Sequence, residues 1–124
     1  MTSCPQVLVA TGSSNQRRLI ARMLRRSGRG ALPVESAEQA LDAARRCTFE
    51  AIITDMHLPD CCGATMLAAL RAEGVSTPAL LLVEEETPRV REVARTLGAT
   101  RCLCCPDLDG LEAAICSLRS STRS

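Results

Sequence analysis

The side chains of this sequence that could do chemistry concentrate in two short segments. Asp55 and His57 precede one pair of adjacent cysteines and a second pair follows near the C-terminus, namely Cys61 with Cys62 and Cys104 with Cys105. Zn2+ prefers thiolate and imidazole ligands, so a soft-metal or dithiol site is one interpretation. Adjacent cysteines lack the two-residue spacer of ordinary zinc knuckles, and consecutive strand residues face opposite ways. We therefore expect no bound metal and keep a cysteine-based redox or metal sensor as an alternative.

A hydrolytic enzyme would need more than these thiols and the single histidine. A dyad of His57 with Cys61, Cys62 or Cys105 has no orienting third group and no oxyanion-hole motif in the sequence. All 15 basic residues are arginine, which excludes a P-loop lysine and a Schiff base. We therefore predict that the chain is not an enzyme.

The composition indicates one globular domain. The chain has 124 residues, of which 46% are hydrophobic and 23% charged. We expect a domain over residues 1–119 and a polar tail over residues 120–124. No apolar run reaches the roughly 18 to 20 residues of a membrane helix. The first residues also lack the charged segment and apolar core of a signal peptide. We therefore expect a cytoplasmic protein without membrane contact. Aromatic residues are 1%. Without stacking platforms, the arginines of the first helix fit a solvated face rather than direct contact with nucleic acid.

Short apolar runs alternate with amphipathic segments along the chain. The expected strands are residues 7–10, 32–34, 51–54, 79–83 and 101–105. Helix start signals follow four of the five strands: a Ser13–Gln16 capping box, a second box at Ser36–Gln39, Thr87 before Pro88, and Asp107. Five strand–helix units predict an α/β fold of the flavodoxin-like (βα)5 type, a three-layer sandwich around a five-stranded parallel sheet of order 2-1-3-4-5.

Ligand sites of such sheets lie at the carboxyl ends of the strands. In this sequence those ends gather residues 11–12, 55–62, 84–86 and 104–106. We refer to them together as the mouth of the sheet and expect the functional residues there.

The segments at the mouth resemble the receiver domain of two-component response regulators. Residues 52–63 match its phospho-acceptor loop, with Asp55 ending a strand, then Leu58-Pro59 and Gly63. Gly98-Ala99 and Cys105-Pro106 resemble its last strand and proline turn.

The resemblance implies Mg2+-dependent phosphoryl transfer from a histidine kinase to Asp55, but the sequence departs from that pattern. Each departure falls on a position that the family uses for this chemistry or for the response to it. The acidic pair is replaced by Thr11 and Gly12, the hydroxyl residue of strand four by Val83, the lysine by Cys105 and the aromatic switch residue by Cys102, while His57 stands where the family uses a main-chain carbonyl.

We therefore predict an atypical receiver that acts as a phosphorylation-independent protein-interaction module. The expected interaction face is the fourth helix, fifth strand and fifth helix, with Arg89, Arg91, Arg95 and Arg101, and a homodimer could form through it. The expected partner is a sensor histidine kinase, a downstream effector or another domain of a larger regulator. The alternative of a conventional phosphoacceptor at Asp55 with reduced activity is the one case in which we expect Mg2+.

Overall fold

A parallel five-stranded sheet forms the centre of the fold. The computed structural model describes residues 6–26, 28–85, 87–104 and 113. The strands are β1 (Val7–Ala10), β2 (Ala31–Val34), β3 (Ala51–Asp55), β4 (Ala79–Val83) and β5 (Arg101–Cys104). They pair in parallel in the order β2-β1-β3-β4-β5. The predicted fold class and strand order are confirmed, and Pro33 lies on an edge strand, where its missing N–H is tolerated.

Four helices are described, α1 (Ser14–Arg26), α2 (Ala37–Arg46), α3 (Gly63–Ala72) and α4 (Pro88–Leu97). They alternate with the strands as the sequence pattern predicts. The expected fifth helix, the last residue of the expected fifth strand (Cys105) and the polar tail lie outside the described residues.

Local capping explains where these helices begin and end. The Ser36 hydroxyl accepts from the Gln39 N–H at 3.2 Å and the Thr87 hydroxyl from the Val90 N–H at 3.1 Å, which satisfies otherwise free donors of the first turns. Gly98 ends α4 with a φ of 119°, a conformation that suits glycine.

The predicted capping box of α1 forms only in part. The Ser13 hydroxyl accepts from the Gln16 N–H at 3.3 Å. The Gln16 side chain does not reach back to the Ser13 N–H, because the Thr11 hydroxyl takes that donor at 3.2 Å and itself contacts Gln16 Oε1 at 3.2 Å.

Two aliphatic layers hold the helices against the sheet. Alternate strand residues point to opposite faces, so each face collects its own set. One face packs on α2, α3 and α4 through Leu8, Ile52, Leu81, Met66 and Leu70, and the other packs on α1 through Val9, Ile53, Leu80, Ile20 and Leu24. No helix in the described part of the chain is long and apolar enough to cross a bilayer.

Arg71 fastens the end of α3 to the end of α4. Its Nε and one terminal nitrogen donate to the Gly98 carbonyl at 3.0 and 2.7 Å, and the other terminal nitrogen donates to the Val75 carbonyl at 2.9 Å. The Gly98 carbonyl is one that the end of α4 leaves unpaired, and the Val75 carbonyl belongs to the segment after α3, so the guanidinium fixes α4 relative to α3.

Candidate functional site at the carboxyl ends of the strands

Asp55 ends β3 and lies half-buried at the mouth of the sheet. It lines a cleft of about 260 Å3 together with Gln16, Met56, His57, Leu82, Val83 and Glu84. Burial raises the pKa of the Asp55 carboxyl, while a hydrogen bond with Thr11 and the nearby His57 act in the opposite direction. The structure thus brings Thr11, Asp55, His57 and Val83 together as the sequence predicts.

Thr11 is fully buried and satisfies its hydroxyl within the mouth. The oxygen accepts from the Ser13 N–H, and its single proton has two acceptors in reach, Gln16 Oε1 and the Asp55 carboxylate. Thr11 is therefore a neutral hydrogen-bond partner of Asp55.

Gly12 follows Thr11 and supplies no side chain to the mouth. A Cβ at this position would lie 3.3 Å from Pro59 Cδ and 3.4 Å from Pro59 Cγ. Pro59 belongs to the loop between β3 and α3, residues 56–62, which we call the acceptor loop. Pro59 thus lies beside the exposed Gly12, and a Cβ there would need the proline ring to shift by a few tenths of an ångström.

The acceptor loop closes on itself and docks on its surroundings. The Gly63 N–H donates to the Met56 carbonyl at 2.7 Å, and the Leu58 N–H donates to the Cys61 carbonyl at 3.1 Å. Gly63 is required for this turn, because a Cβ there would collide with the Asp55 carbonyl oxygen and approach Thr54 Oγ1 to 2.9 Å.

Val83 and Cys102 are the described residues at two further positions singled out by the sequence. Val83 is buried in the layer shared with α2, α3 and α4, and it pairs in register with Cys104. Cys102 is half-buried beside α4. Val83 therefore offers an apolar wall to the cleft and no hydroxyl, and Cys105 lies outside the described residues.

The cysteines of the acceptor loop are free thiols in half-buried positions. Cys62 Sγ lies 3.3 Å from Met56 Sδ, and Cys61 Sγ lies 3.4 Å from the Cys62 carbonyl oxygen. Burial raises the pKa of the Cys61 thiol, and the nearby Asp60 raises it further. Cys104 is two strands away across the sheet. Among residues 6–26, 28–85, 87–104 and 113, no three His, Cys, Asp or Glu residues come together as metal ligands.

The fourth helix carries the predicted interaction face. Arg89, Arg91 and Arg95 are exposed on α4, and Arg101 begins β5. Arg91 and Arg95 border a groove of about 640 Å3 between α4 and β5 that Pro88, Glu92, Ala99, Thr100 and Cys102 complete. Val93 is 45% exposed on the same helix, so an apolar side chain lies among the arginines.

The first helix carries the strongest positive charge. Arg18, Arg22 and Arg25 line a groove with the 55% exposed Leu19. Arg17 turns toward the sheet, where it donates to the Thr11 carbonyl at 2.7 Å and pairs with Glu35 at 3.5 Å.

Sequence reasoning missed three contributors to the mouth. Gln16 was assigned to a helix cap, and its hydrogen bond to Thr11 depends on the folded turn. Arg17 was counted only among surface arginines. Asp60 was passed over, although its carboxylate accepts from the Ala37 and Glu38 N–H groups at 2.8 and 2.9 Å. Aspartate is a preferred helix-capping residue, but the helix that Asp60 contacts begins more than 20 residues earlier in the sequence.

The parallel sheet has the flavodoxin-like order 2-1-3-4-5, and its third strand ends in an aspartate, as the resemblance to receiver domains implies. Residues 7–115 match the response regulator receiver domain family. The chain belongs to this family.

Two kinds of relatives agree with that assignment. The sensory/regulatory protein RpfC of Xanthomonas campestris is 34% identical over 107 residues, which is 83% of this chain and 15% of that protein. The chain thus spans a small part of the length of its curated relative. The Francisella response regulator 1452 receiver domain has a TM-score of 0.89 at 21% identity and covers 97% of this chain and 100% of that one.

A second structural relative carries a metal. The receiver domain of sensor histidine kinase PA1611 from Pseudomonas aeruginosa has a TM-score of 0.84 at 23% identity, covering 95% of this chain and 99% of that one, and has a magnesium ion coordinated in its active site cleft. At this identity the likeness shows the fold alone.

The end of β1 offers Mg2+ no carboxylate ligand. The ion takes hard oxygen ligands, usually one or two carboxylates together with several waters, and the carboxylates that line this cleft among the described residues are Asp55 and Glu84. Beside Asp55, β1 ends in a hydroxyl that is already hydrogen-bonded and a glycine without a side chain.

Proposed function

We propose that this receiver domain works in two-component signalling through protein contacts that do not depend on phosphorylation. The observation that carries the proposal is the end of β1 beside Asp55, where the buried hydroxyl of Thr11 is followed by Gly12, so that this end supplies no carboxylate. Phosphoryl transfer needs positive charge to neutralise the transferred group. At this mouth the described neighbours of Asp55 include Glu84, a further negative charge.

The same positions argue against a phosphate-driven switch. A switch needs an element whose two arrangements interact differently with the bound group. Val83 has only methyl groups to offer a phosphoryl oxygen, and it is packed in the core. Cys102 stands at the position of the family's aromatic switch residue, and its side chain is too small to fill two alternative pockets as an aromatic ring would. A permanently formed interaction surface is the simpler account.

We assign that surface to α4 and the neighbouring edge of β5. Arg89 and Arg95 are exposed, the groove beside them is about 640 Å3, and Val93 supplies apolar area among the charges. Arginine with exposed apolar area is typical of protein interfaces. The partner would be a sensor histidine kinase, an effector or another domain of a larger regulator, the last in keeping with a relative of which this chain spans 15%.

The experiment that tests the proposal is an intact-mass spectrum before and after incubation with Mg2+ and acetyl phosphate. Asp55→Asn is the matched control, and a receiver with a complete acidic pair is treated in parallel to verify the phosphodonor. The proposal expects the same mass before and after treatment. A phosphoryl adduct on the unmodified protein that is absent from Asp55→Asn would contradict it.

A conventional phosphoacceptor with reduced activity is the second candidate. The observation in its favour is Asp55 itself, whose carboxyl lies in an open cleft at the end of β3. This candidate requires the adduct that the first excludes, so one spectrum separates the two.

The thiols of the acceptor loop support a third candidate, a redox or metal sensor. Cys61 and Cys62 are adjacent and half-buried. The test is to replace Cys61, Cys62, Cys104 and Cys105 by serine and to measure metal content and signalling. Unchanged values would rule this candidate out.

A homodimer through α4 is the fourth arrangement to test. Charge reversal at Arg89 and Arg95 would introduce acidic side chains on both sides of a symmetric contact. A dimer that dissociates in this double variant, measured by sedimentation, would support it. Unchanged self-association would exclude this face.

A further inference from the structure

The first three N–H groups of α2, which have no acceptor within the helix, are all satisfied, and two of them donate to a residue outside the helix. The Gln39 N–H donates to the Ser36 hydroxyl at 3.2 Å, and the Ala40 N–H makes the first regular helical hydrogen bond, to the Ser36 carbonyl at 3.1 Å. The other two donors, Ala37 and Glu38, point at the two oxygens of one carboxylate, at 2.8 and 2.9 Å. That carboxylate belongs to Asp60 in the acceptor loop, which follows another strand.

Asp60 is one of three consecutive anchors of the acceptor loop. Leu58 is 8% exposed and packs in the core. Pro59 lies against Gly12 at the end of β1. Asp60 accepts hydrogen bonds from the first turn of α2 with both carboxylate oxygens. The segment directly after Asp55 and His57 is therefore tied to the core, to β1 and to α2 in turn.

The charge of the Asp60 side chain suits its position. The N-terminus of a helix carries partial positive charge, and a carboxylate there is stabilised by the dipole and by charge-assisted hydrogen bonds. The hydrogen bonds from Ala37 and Glu38 lower the pKa of Asp60, so the carboxylate is the form that the helix end holds.

We propose that Asp60 locks the acceptor loop to helix α2, so that the loop and the first turn of α2 open and close as one unit. A ligand or partner that moves α2 then also moves the acceptor loop beside Asp55. Conversely, a conformational change in the acceptor loop moves the first turn of α2. The proposal goes beyond the proposed function, because it holds whether or not Asp55 accepts phosphate.

Native-state amide hydrogen exchange of the full chain, resolved by NMR, tests this coupling. The variant is Asp60→Ala, which removes both acceptors. We expect exchange at the Ala37 and Glu38 amides to accelerate by about five- to tenfold, the usual effect of losing a helix cap. The acceptor loop reports through the Leu58 and Gly63 amides, which donate to carbonyls inside the loop, and we expect these to accelerate by a similar factor.

Two controls separate the lock from other effects. Asp42→Ala removes an exposed carboxylate that belongs to α2 itself and pairs with Arg46 at 3.4 Å. This variant should leave the exchange rates of the loop amides unchanged. The Ile52 amide, bonded to the Pro78 carbonyl within the sheet, should keep its exchange rate in every variant. Asp60→Asn keeps one acceptor without the charge, so its effect should be smaller than that of Asp60→Ala.

The outcomes decide the proposal. Joint acceleration of the helix and loop amides with an unchanged Ile52 amide supports it. Acceleration at Ala37 and Glu38 alone would show a local cap and overturn it. Equal acceleration at Ile52 would show general loosening and overturn it as well. The mass spectrum of phosphodonor-treated protein is unaffected by any of these results, so failure here is distinguishable from failure of the proposed function.

Discussion

Replacing Arg71 should destabilise the fold more than replacing any arginine of the open helix surface. Arg71 donates three hydrogen bonds to two carbonyls at helix ends, those of Gly98 and Val75, at 2.7 to 3.0 Å. A net hydrogen bond contributes about 1 kcal/mol, and a charged donor contributes more unless water screens it. Arg71 is half-buried, so we count about 1 kcal/mol for each carbonyl. Arg71→Met, which keeps the apolar stem, should therefore lower the free energy of unfolding by about 2 kcal/mol.

The measurement is urea denaturation followed by circular dichroism, with the slope of the transition checked for two-state behaviour. Arg46→Met is the matched control, because the Arg46 side chain is 76% exposed and forms an ion pair with Asp42 one turn away on the same helix. It should change the free energy of unfolding by less than about 0.5 kcal/mol. A loss for Arg71→Met as small as that of the control would refute the account of how α4 is held.

Three further predictions follow from single contacts. Gly98→Ala should cost about 1 to 2 kcal/mol of unfolding free energy, because residue 98 has a φ of 119° and a Cβ would lie 2.7 Å from Arg71 Cγ; a neutral result in urea denaturation would contradict this. Gly63→Ala should cost about 3 kcal/mol or more, since its Cβ meets the Asp55 carbonyl and the strand cannot yield without loss of packing; a thermal midpoint equal to that of the original chain would count against it. Asp55→Asn should stabilise the protein at neutral pH. Burial raises the pKa of Asp55 in the folded state. Its carboxylate therefore destabilises the fold at pH values above the folded-state pKa. This destabilisation decreases as the pH falls from the folded-state pKa to the unfolded-state pKa. The stability difference between the two proteins should therefore shrink in acid, and a constant difference would refute it.

Much of the fold was predictable because its signals are local. Apolar runs such as residues 79–83 are long enough for one buried strand and too short for a helix of the domain. The start and end of α4 are set by residues that influence only the backbone next to them. The helix begins after the cap at Thr87 with Pro88 and ends at Gly98. The end of β3 at Asp55 placed the candidate site, because parallel strands deliver their carboxyl ends to one edge.

The rest of the site depends on distances that only the folded chain creates. The lock between Asp60 and α2 joins residues 22 and 23 positions apart. The prediction of a capping box in α1 was wrong for one of its two hydrogen bonds. The Ser13 N–H donates to the Thr11 hydroxyl instead of the Gln16 side chain. Arg71 binds the carbonyl of Gly98, which lies 27 residues later in the sequence, and no local pattern indicates this partner. Local patterns carry no information on such partners, which are brought together by the packing of α2, α3 and α4 on the sheet.

The most direct measurement of phosphate independence is the amide NMR spectrum before and after addition of Mg2+ with beryllium fluoride, a tetrahedral mimic of a phosphoryl group on a carboxylate. The account predicts unchanged amide shifts at Asp55, at Val83 and along α4, with Asp55→Asn giving the same result. Shifts that begin at Asp55, spread to α4 and vanish in Asp55→Asn would contradict the account and restore a phosphate-driven switch.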